Sequence, residues 1–188
     1  MNPSTVSLTD VKQMRALAHP LRLRILGELR AGGPSTAGRL GDLVDEAPGT
    51  LSYHLGKLAQ FGFVEEAPEL STDRRERWWR ALHEYTAIPS TSDADSAAET
   101  VAIAALRHRV VDVYAATLHQ SVDASTELTA DWSAAGTSAD TLAHLTAAQL
   151  AEASAELGAV LEKWHAASNA TGEGAEPVQL IVHAFRRP

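Results

Sequence analysis

Four interruptions decide what the first sixty residues of this chain can become. Pro20, Gly32-Gly33, Pro48 and Gly62 divide them into short helical pieces. Thr9 suits an N-cap for the first piece, in which Val11, Met14, Leu17 and Ala18 recur at helical spacing. The second runs over 21–31 with Leu23, Ile25, Leu26 and Leu29 as its apolar residues. Ser35 suits the cap of a third, which carries Ala37, Leu40, Leu43 and Val44. After the turn Asp45-Glu46-Ala47, Pro48 stands where a helix tolerates proline best, at its first position, and the fourth piece reaches about Gln60. Two β-prone segments follow, 63–65 and 77–82, around a polar loop at 68–75.

Helix, helix, helix, turn, helix, hairpin is the element order of a winged helix-turn-helix, expected over residues 1–89. The test is the fourth helix. At about 100° per residue, Leu51, Leu55, Leu58 and Gly62 fall on one side. Gly49, Tyr53, Gly56, Lys57 and Gln60 fall opposite, flanked by Thr50 and Ser52, with His54 on the shoulder between the two faces. Small, hydroxyl and basic groups without a carboxylate suit a helix entering a major groove. The ordinary alternative is a solvated surface helix, which would usually carry Glu/Lys pairs; positions 47–61 contain no acid. Arg74, Arg75 and Arg77 at the hairpin tip suit phosphates or a minor groove, although Asp73 and Glu76 beside them also fit a merely soluble loop. Trp78 and Trp79 are adjacent in a strand, so only one can face the core. His19, before Pro20 at a helix break, reads as a local hydrogen-bonding residue.

Charge separates the chain into two parts. Residues 1–89 hold 11 Lys/Arg and 11 Asp/Glu, whereas residues 90–188 hold 5 and 13, so the whole net charge of −8 lies in the second part. A neutral first part can still present a basic face, but the acidic second part is unsuited to DNA. The absence of cysteine excludes disulfides, thiolate zinc sites and a Cys nucleophile. Neither a phosphate-binding glycine loop nor a nucleophile elbow occurs, so no enzyme, catalytic residue or cofactor is expected. With no apolar run of membrane length and no signal pattern at the N-terminus, no membrane partner is expected, and the expected location is the cytoplasm.

The polar stretch from Pro89 to Ser96 reads as a linker, which places a second domain at 97–188. It opens with an alanine-rich helix over 97–121, whose Val101, Ala105, Val111, Tyr114 and Leu118 make an apolar side. Residues 128–145 read as two short strands, around Trp132 and around 142–145. Thr146 and Gln149 form a capping box before a helix carrying Leu150, Leu157, Leu161 and Trp164, and 178–185 reads as a last strand. The expected fold class is therefore mainly α with a small β-hairpin wing (α+β): a winged helix-turn-helix followed by a helical C-terminal region with a few short strands. His108/Asp112 and His119/Asp123 are each four apart on a helix, but two ligands do not make a metal site, and none is expected. Tyr114, Trp132, His144, Trp164 and His183 are either core residues or the lining of an effector pocket.

The segment Ala16-Leu17-Ala18-His19-Pro20-Leu21-Arg22-Leu23-Arg24-Ile25-Leu26 resembles the opening signature of ArsR-type winged-helix regulators. Thr50-Leu51-Ser52-Tyr53-His54-Leu55-Gly56-Lys57-Leu58 resembles that family's recognition helix. Phe61-Gly62-Phe63-Val64-Glu65 with Arg77-Trp78-Trp79-Arg80 resembles its wing. The resemblance spans about residues 8–83, and its three motifs stand in order at the expected spacing. It implies a homodimer that binds an operator, with DNA contacts at Thr50, Ser52, Tyr53, His54 and Lys57. The chain departs from the family's metal sensors in lacking cysteines near the recognition helix, and it continues well beyond the wing, which points to a longer subgroup.

The expected function is a DNA-binding transcription regulator, a repressor, acting as a homodimer on a palindromic site in double-stranded DNA. A small-molecule effector is expected at the C-terminal domain. The expected DNA-binding residues are Ser35, Thr36, Gly49, Thr50, Ser52, Tyr53, His54, Lys57, Arg74, Arg75 and Arg77. The expected dimer contacts are Val11, Met14 and Leu17 in the first helix and Val111, Tyr114 and Leu118 in the long one. The competing reading is a protein-interaction module that keeps a winged fold without binding DNA.

Overall fold

The computed structural model describes residues 4–71, 73, 76–168 and 172–187. Helix α1 (Val11–Leu17) starts where the Asp10 carboxylate accepts the Lys12 amide at 2.8 Å, so the cap is one residue later than Thr9. Pro20 opens α2 (Pro20–Ala31). Thr36, rather than Ser35, caps α3 (Ala37–Val44) by accepting the Arg39 amide at 3.3 Å. That helix ends at Asp45 in the left-handed region, φ 56°, and the Glu46 amide returns to the Gly41 carbonyl at 3.0 Å. A Cβ on Gly41 would stand 2.5 Å from the Glu46 carbonyl oxygen, so the turn closes this tightly only over a glycine. It delivers the chain to α4 (Pro48–Gln60), again opened by proline. Gly62, at φ 73°, turns the chain out of α4.

The wing is a three-stranded antiparallel sheet of β2 (Ser35–Thr36), β3 (Val64–Glu66) and β4 (Trp78–Ala81), in the order β2-β4-β3. Val64 faces Ala81, Glu66 faces Trp79, and Ser35 pairs with Trp79 from the other side. A second, parallel pair joins β1 (Thr5–Ser7) to β5 (Tyr85–Ala87). Sequence patterning does not predict β1, β2 or β5, because two or three residues are too few to show alternation.

The core gathers Met14, Leu17, Ile25, Leu26, Leu40, Leu51, Leu55, Leu58 and Phe63 between α1, α2, α3 and α4, with Trp79 contributed by the wing. Ala102, Ile103 and Leu106 of α5 (Ala97–Asp123) complete it, and α5 lies against α1 and α2. Arg107 donates to the Pro89 carbonyl at 3.0 Å, which ties α5 to the segment before it. Arg30 at the end of α2 donates to the His83 carbonyl at 2.9 Å and to Thr86 Oγ1 at 2.8 Å. Burial brings its pKa down to about 10. The first compact unit is Met1–Asp123 and the second Ala124–Pro188, so α5 belongs with the winged module and not with the region expected to begin at residue 97.

In the second unit Thr129 caps α6 (Ala130–Ala135), and Thr146 with Gln149 forms the expected capping box of α7 (Ala147–Ala166). The expected strands do not form. Trp132 lies in α6, while 142–145 and 178–185 have no regular structure. A strand needs a neighbour for its backbone N–H and C=O groups, and among the described residues this unit contains no other strand. Its described residues include none that is buried. The fold is mainly α with a small sheet, a winged helix-turn-helix followed by a helical region. Among the described residues no helix is long and apolar enough to cross a membrane.

Candidate nucleic-acid interface

Helix α4 is fixed from within. Leu51, Leu55 and Leu58 are fully buried, which commits the opposite face to solvent. Tyr53 stands there at 61% exposure, with Gly49, Ser52, Gly56 and Gln60 exposed around it and Thr50 and Lys57 half-buried at the edges. Ser52 donates to the Pro48 carbonyl at 2.9 Å within the first turn, and Lys57 Nζ donates to Gln60 Oε1 at 3.0 Å. No atom lies within 4 Å of where a Cβ would stand on Gly49 or Gly56. The result is a shallow, carboxylate-free surface with one large side chain.

Two expected contacts are turned inward. Thr36 is buried by its capping role in α3, with half-buried Ser35 beside it in β2. His54 is only 7% exposed, because the shoulder of α4 closes against the start of α2. Its ring centroid lies 4.5 Å from that of His19 and 5.1 Å from that of Tyr53, edge to face. His54 Nδ1 is buried without a hydrogen-bond partner, as is Arg22 Nε. Burial and then the charges of His19 and Arg22 lower the pKa of His54, with Glu46 opposing; burial and then Arg22 lower that of His19. The His19 side chain makes no cap hydrogen bond, contrary to the local role its sequence position suggests.

In the wing, Trp79 faces the core and Trp78 the other side, as alternation requires. Arg39 of α3 is exposed, and its guanidinium lies 4.8 Å from the Trp78 ring centroid. Arg77 is exposed, pairs with Glu66 and lies 5.4 Å from the Trp79 ring centroid. Arg80 is held by Glu65 at 2.7 Å and by Glu69. Arg74 and Arg75 lie outside the described residues. The structure thus brings Gly49, Thr50, Ser52, Tyr53 and Lys57 onto one face. Sequence reasoning did not place His19 and Arg22 with α4: they are more than thirty residues from His54, and no periodicity links them. Among the described residues no group of three His, Cys, Asp or Glu is placed to hold a metal ion.

Of the expected dimer contacts, Met14 and Leu17 are fully buried in their own chain's core, and Val11 is half-buried against it. Tyr114 is half-buried, while Val111 and Leu118 are 51% and 54% exposed.

Residues 17–67 match a helix-turn-helix domain family. The chain is similar to two solved structures. One is a disulfide-formed AbfR (20% identity, TM-score 0.30, covering 57% of this chain and 71% of that one). The other is Lactococcus lactis ZitR carrying the C30AH42A mutations (14% identity, TM-score 0.27, covering 84% of this chain and 75% of that one). No curated protein matches.

Proposed function

We propose that the chain is a DNA-binding transcription regulator of the ArsR type, in the longer subgroup, and that it represses from a palindromic operator as a homodimer. The observation that carries this reading is the outer face of α4. Its inner face is locked by three buried leucines, and its outer face offers Tyr53, Thr50, Ser52 and Lys57 without a carboxylate. An apolar protein-docking face would present large apolar groups, and Tyr53 is the one such exposed residue on α4. The Arg-rich wing tip, including Arg74, Arg75 and Arg77, supplies backbone contacts beside the groove.

The dimer is proposed to form through α5. Val111, Leu118 and Val122 are exposed, with Ala115 between them, and their spacings of four, three and four residues place them along one stripe. A small-molecule effector acting through the C-terminal region completes the reading. It would change operator affinity only by binding one dimer geometry better than another.

The test is a gel-shift and anisotropy titration of the full chain against duplexes it selects from a random-sequence library. The expected result is salt-dependent binding to a two-fold symmetric site, lost or strongly weakened in Tyr53→Ala and Lys57→Ala. Selection of no duplex at any salt would remove the DNA reading and leave the protein-interaction module. A monomer by light scattering at micromolar concentration, on and off DNA, would remove the dimer.

A further inference from the structure

The start of α2 and the middle of α4 enclose a cluster of groups that the outer face of α4 does not use. His19 is the N-cap of α2; its carbonyl accepts the Leu23 amide at 3.1 Å, Pro20 has no N–H, and the His19 side chain caps neither the Leu21 nor the Arg22 amide. Within the first turn of α2, Arg22 carries a buried Nε with no partner; on α4, His54, more than nine-tenths buried, carries an Nδ1 in the same condition. The charges acting on the His54 ring are those of His19 and Arg22, from the α2 side, and of Glu46, from the turn after α3. Helices α1 and α3 and strand β3 also touch α4, and none of their described charged groups, Arg39 and Asp42 of α3 included, is among those acting on the ring. Tyr53, the exposed residue of the outer face, meets the His54 ring edge to face, with the centroids 5.1 Å apart.

An array of this kind selects its own ligand. A cation is repelled by Arg22, and an apolar group gives the two orphaned nitrogens nothing. An anion answers the guanidinium, the Leu21 and Arg22 amides of the helix N-terminus and the buried ring together. Because Tyr53 belongs both to this cluster and to the outer face of α4, a strand of DNA lying along α4 would carry its backbone past the site.

We propose that His19, Arg22, Tyr53 and His54, with the α2 N-terminus, form a seat for one DNA backbone phosphate. This rests on the DNA reading above and adds a position that the expected contact residues omit. It also makes DNA binding proton-linked. In the free chain, burial and the Arg22 charge disfavour the protonated form of both rings. A phosphate offsets the Arg22 charge and favours the imidazolium, so binding takes up a proton and tightens as pH falls through the ordinary histidine range, about 6.5.

The experiment uses the full chain and a duplex selected by it, with anisotropy measured at several salt concentrations near pH 8 and near pH 6 (roughly either side of that value). Arg22→Gln is expected to weaken binding about tenfold and to lower the salt slope by about one. Acidification is expected to tighten the wild type several-fold, and His54→Gln is expected to lose most of that gain. Where His54→Gln melts well below the wild type, His19→Gln decides, because that ring is exposed and its replacement opens no core. Unchanged affinity and slope in Arg22→Gln overturn the proposal, as does a wild type that weakens on acidification or a gain that survives in both histidine variants. A wild type that binds the duplex while Arg22→Gln behaves like it overturns the phosphate seat alone; a wild type that binds no duplex overturns the DNA reading and the seat together.

Discussion

The two compact units are supplied with similar residues and use them in opposite ways. In the first, the apolar stripes of α1, α2, α3, α4 and the first half of α5 converge, and Met14, Ile25, Leu40, Leu55 and Ile103 disappear from solvent. In the second, α7 buries no residue: Leu150 and Leu161 are half-buried, Leu157, Val160 and Trp164 stay exposed, and so do Val178, Leu180 and Phe185. One stripe needs a second element to cover it, and a six-residue α6, with no sheet among the described residues of this unit, is not enough. Periodicity therefore identifies which side of a helix is apolar but not whether anything covers it.

The largest effect should come from where the chain is cut. Ending it after Ala87 removes Ala102, Ile103 and Leu106 from the winged module's own core. At roughly 1.5–3 kcal/mol for each large buried apolar side chain, that loss approaches the whole stability of an ordinary domain. Residues 1–87 should lack a cooperative thermal transition by circular dichroism, whereas residues 1–123 should keep one. A cooperative melt of 1–87 at the full chain's temperature would show that α5 is dispensable to the core.

Single substitutions sharpen the same contrast. Ile103→Ala should destabilise by about 2–5 kcal/mol, read from urea midpoints, because it empties a fully buried position. Trp164→Ala, a larger truncation at a residue 55% exposed, should stay within about 0.5 kcal/mol. Gly41→Ala belongs with the first: its new methyl meets the Glu46 carbonyl in the turn before α4, and about 1–3 kcal/mol is the expected cost. Equal effects for Ile103→Ala and Trp164→Ala would erase the distinction between the units.

Much of the first unit was legible in the sequence. The proline and glycine breaks mark α2, α3 and α4 to within a residue or two, and leucine spacing identifies the buried face of α4, because both signals are local. The packing of α5 onto α1 and α2 was not legible, since an alanine-rich helix offers several weakly apolar sides and the linker composition at Pro89 to Ser96 suggested a boundary. The strand expected at 178–185 failed for the complementary reason: β-prone residues were present, and among the described residues of the second unit a partner strand was not. The candidate interface shows the same split. Tyr53 and Lys57 follow from a helical wheel, whereas the His19–His54 contact depends on two distant segments meeting.

That contact also gives the first unit a pH dependence of its own. Both rings have pKa values below the ordinary histidine value, so the unfolded chain binds protons that the folded chain refuses. Stability from this source is complete above about pH 6.5 and declines as pH falls below it. The urea midpoint should drop between about pH 7 and pH 5.5. The drop should be shallower in His54→Gln, and a slope equal to the wild type's in that variant would show that the rings titrate as they do in the unfolded chain.

The smallest effects discriminate between the units most finely. Gly27 in α2 and Gly158 in α7 both sit inside helices with no atom within 4 Å of an added Cβ. Alanine at either should favour its helix by about 0.5–1 kcal/mol, through backbone entropy alone. The gain should be read out differently. Helix α2 carries Leu21, Ile25, Leu26 and Leu29 into the core, so Gly27→Ala should raise the cooperative transition by a few degrees. Helix α7 buries no residue, so Gly158→Ala should increase far-ultraviolet helicity without moving that transition. The tryptophans permit the separation: Trp78 and Trp79 report on the wing, and Trp132 and Trp164 on α6 and α7. If Gly158→Ala raises the Trp78/Trp79 transition as much as Gly27→Ala does, the second unit melts together with the first, and its exposed apolar residues cannot be treated as independent of the winged module's stability.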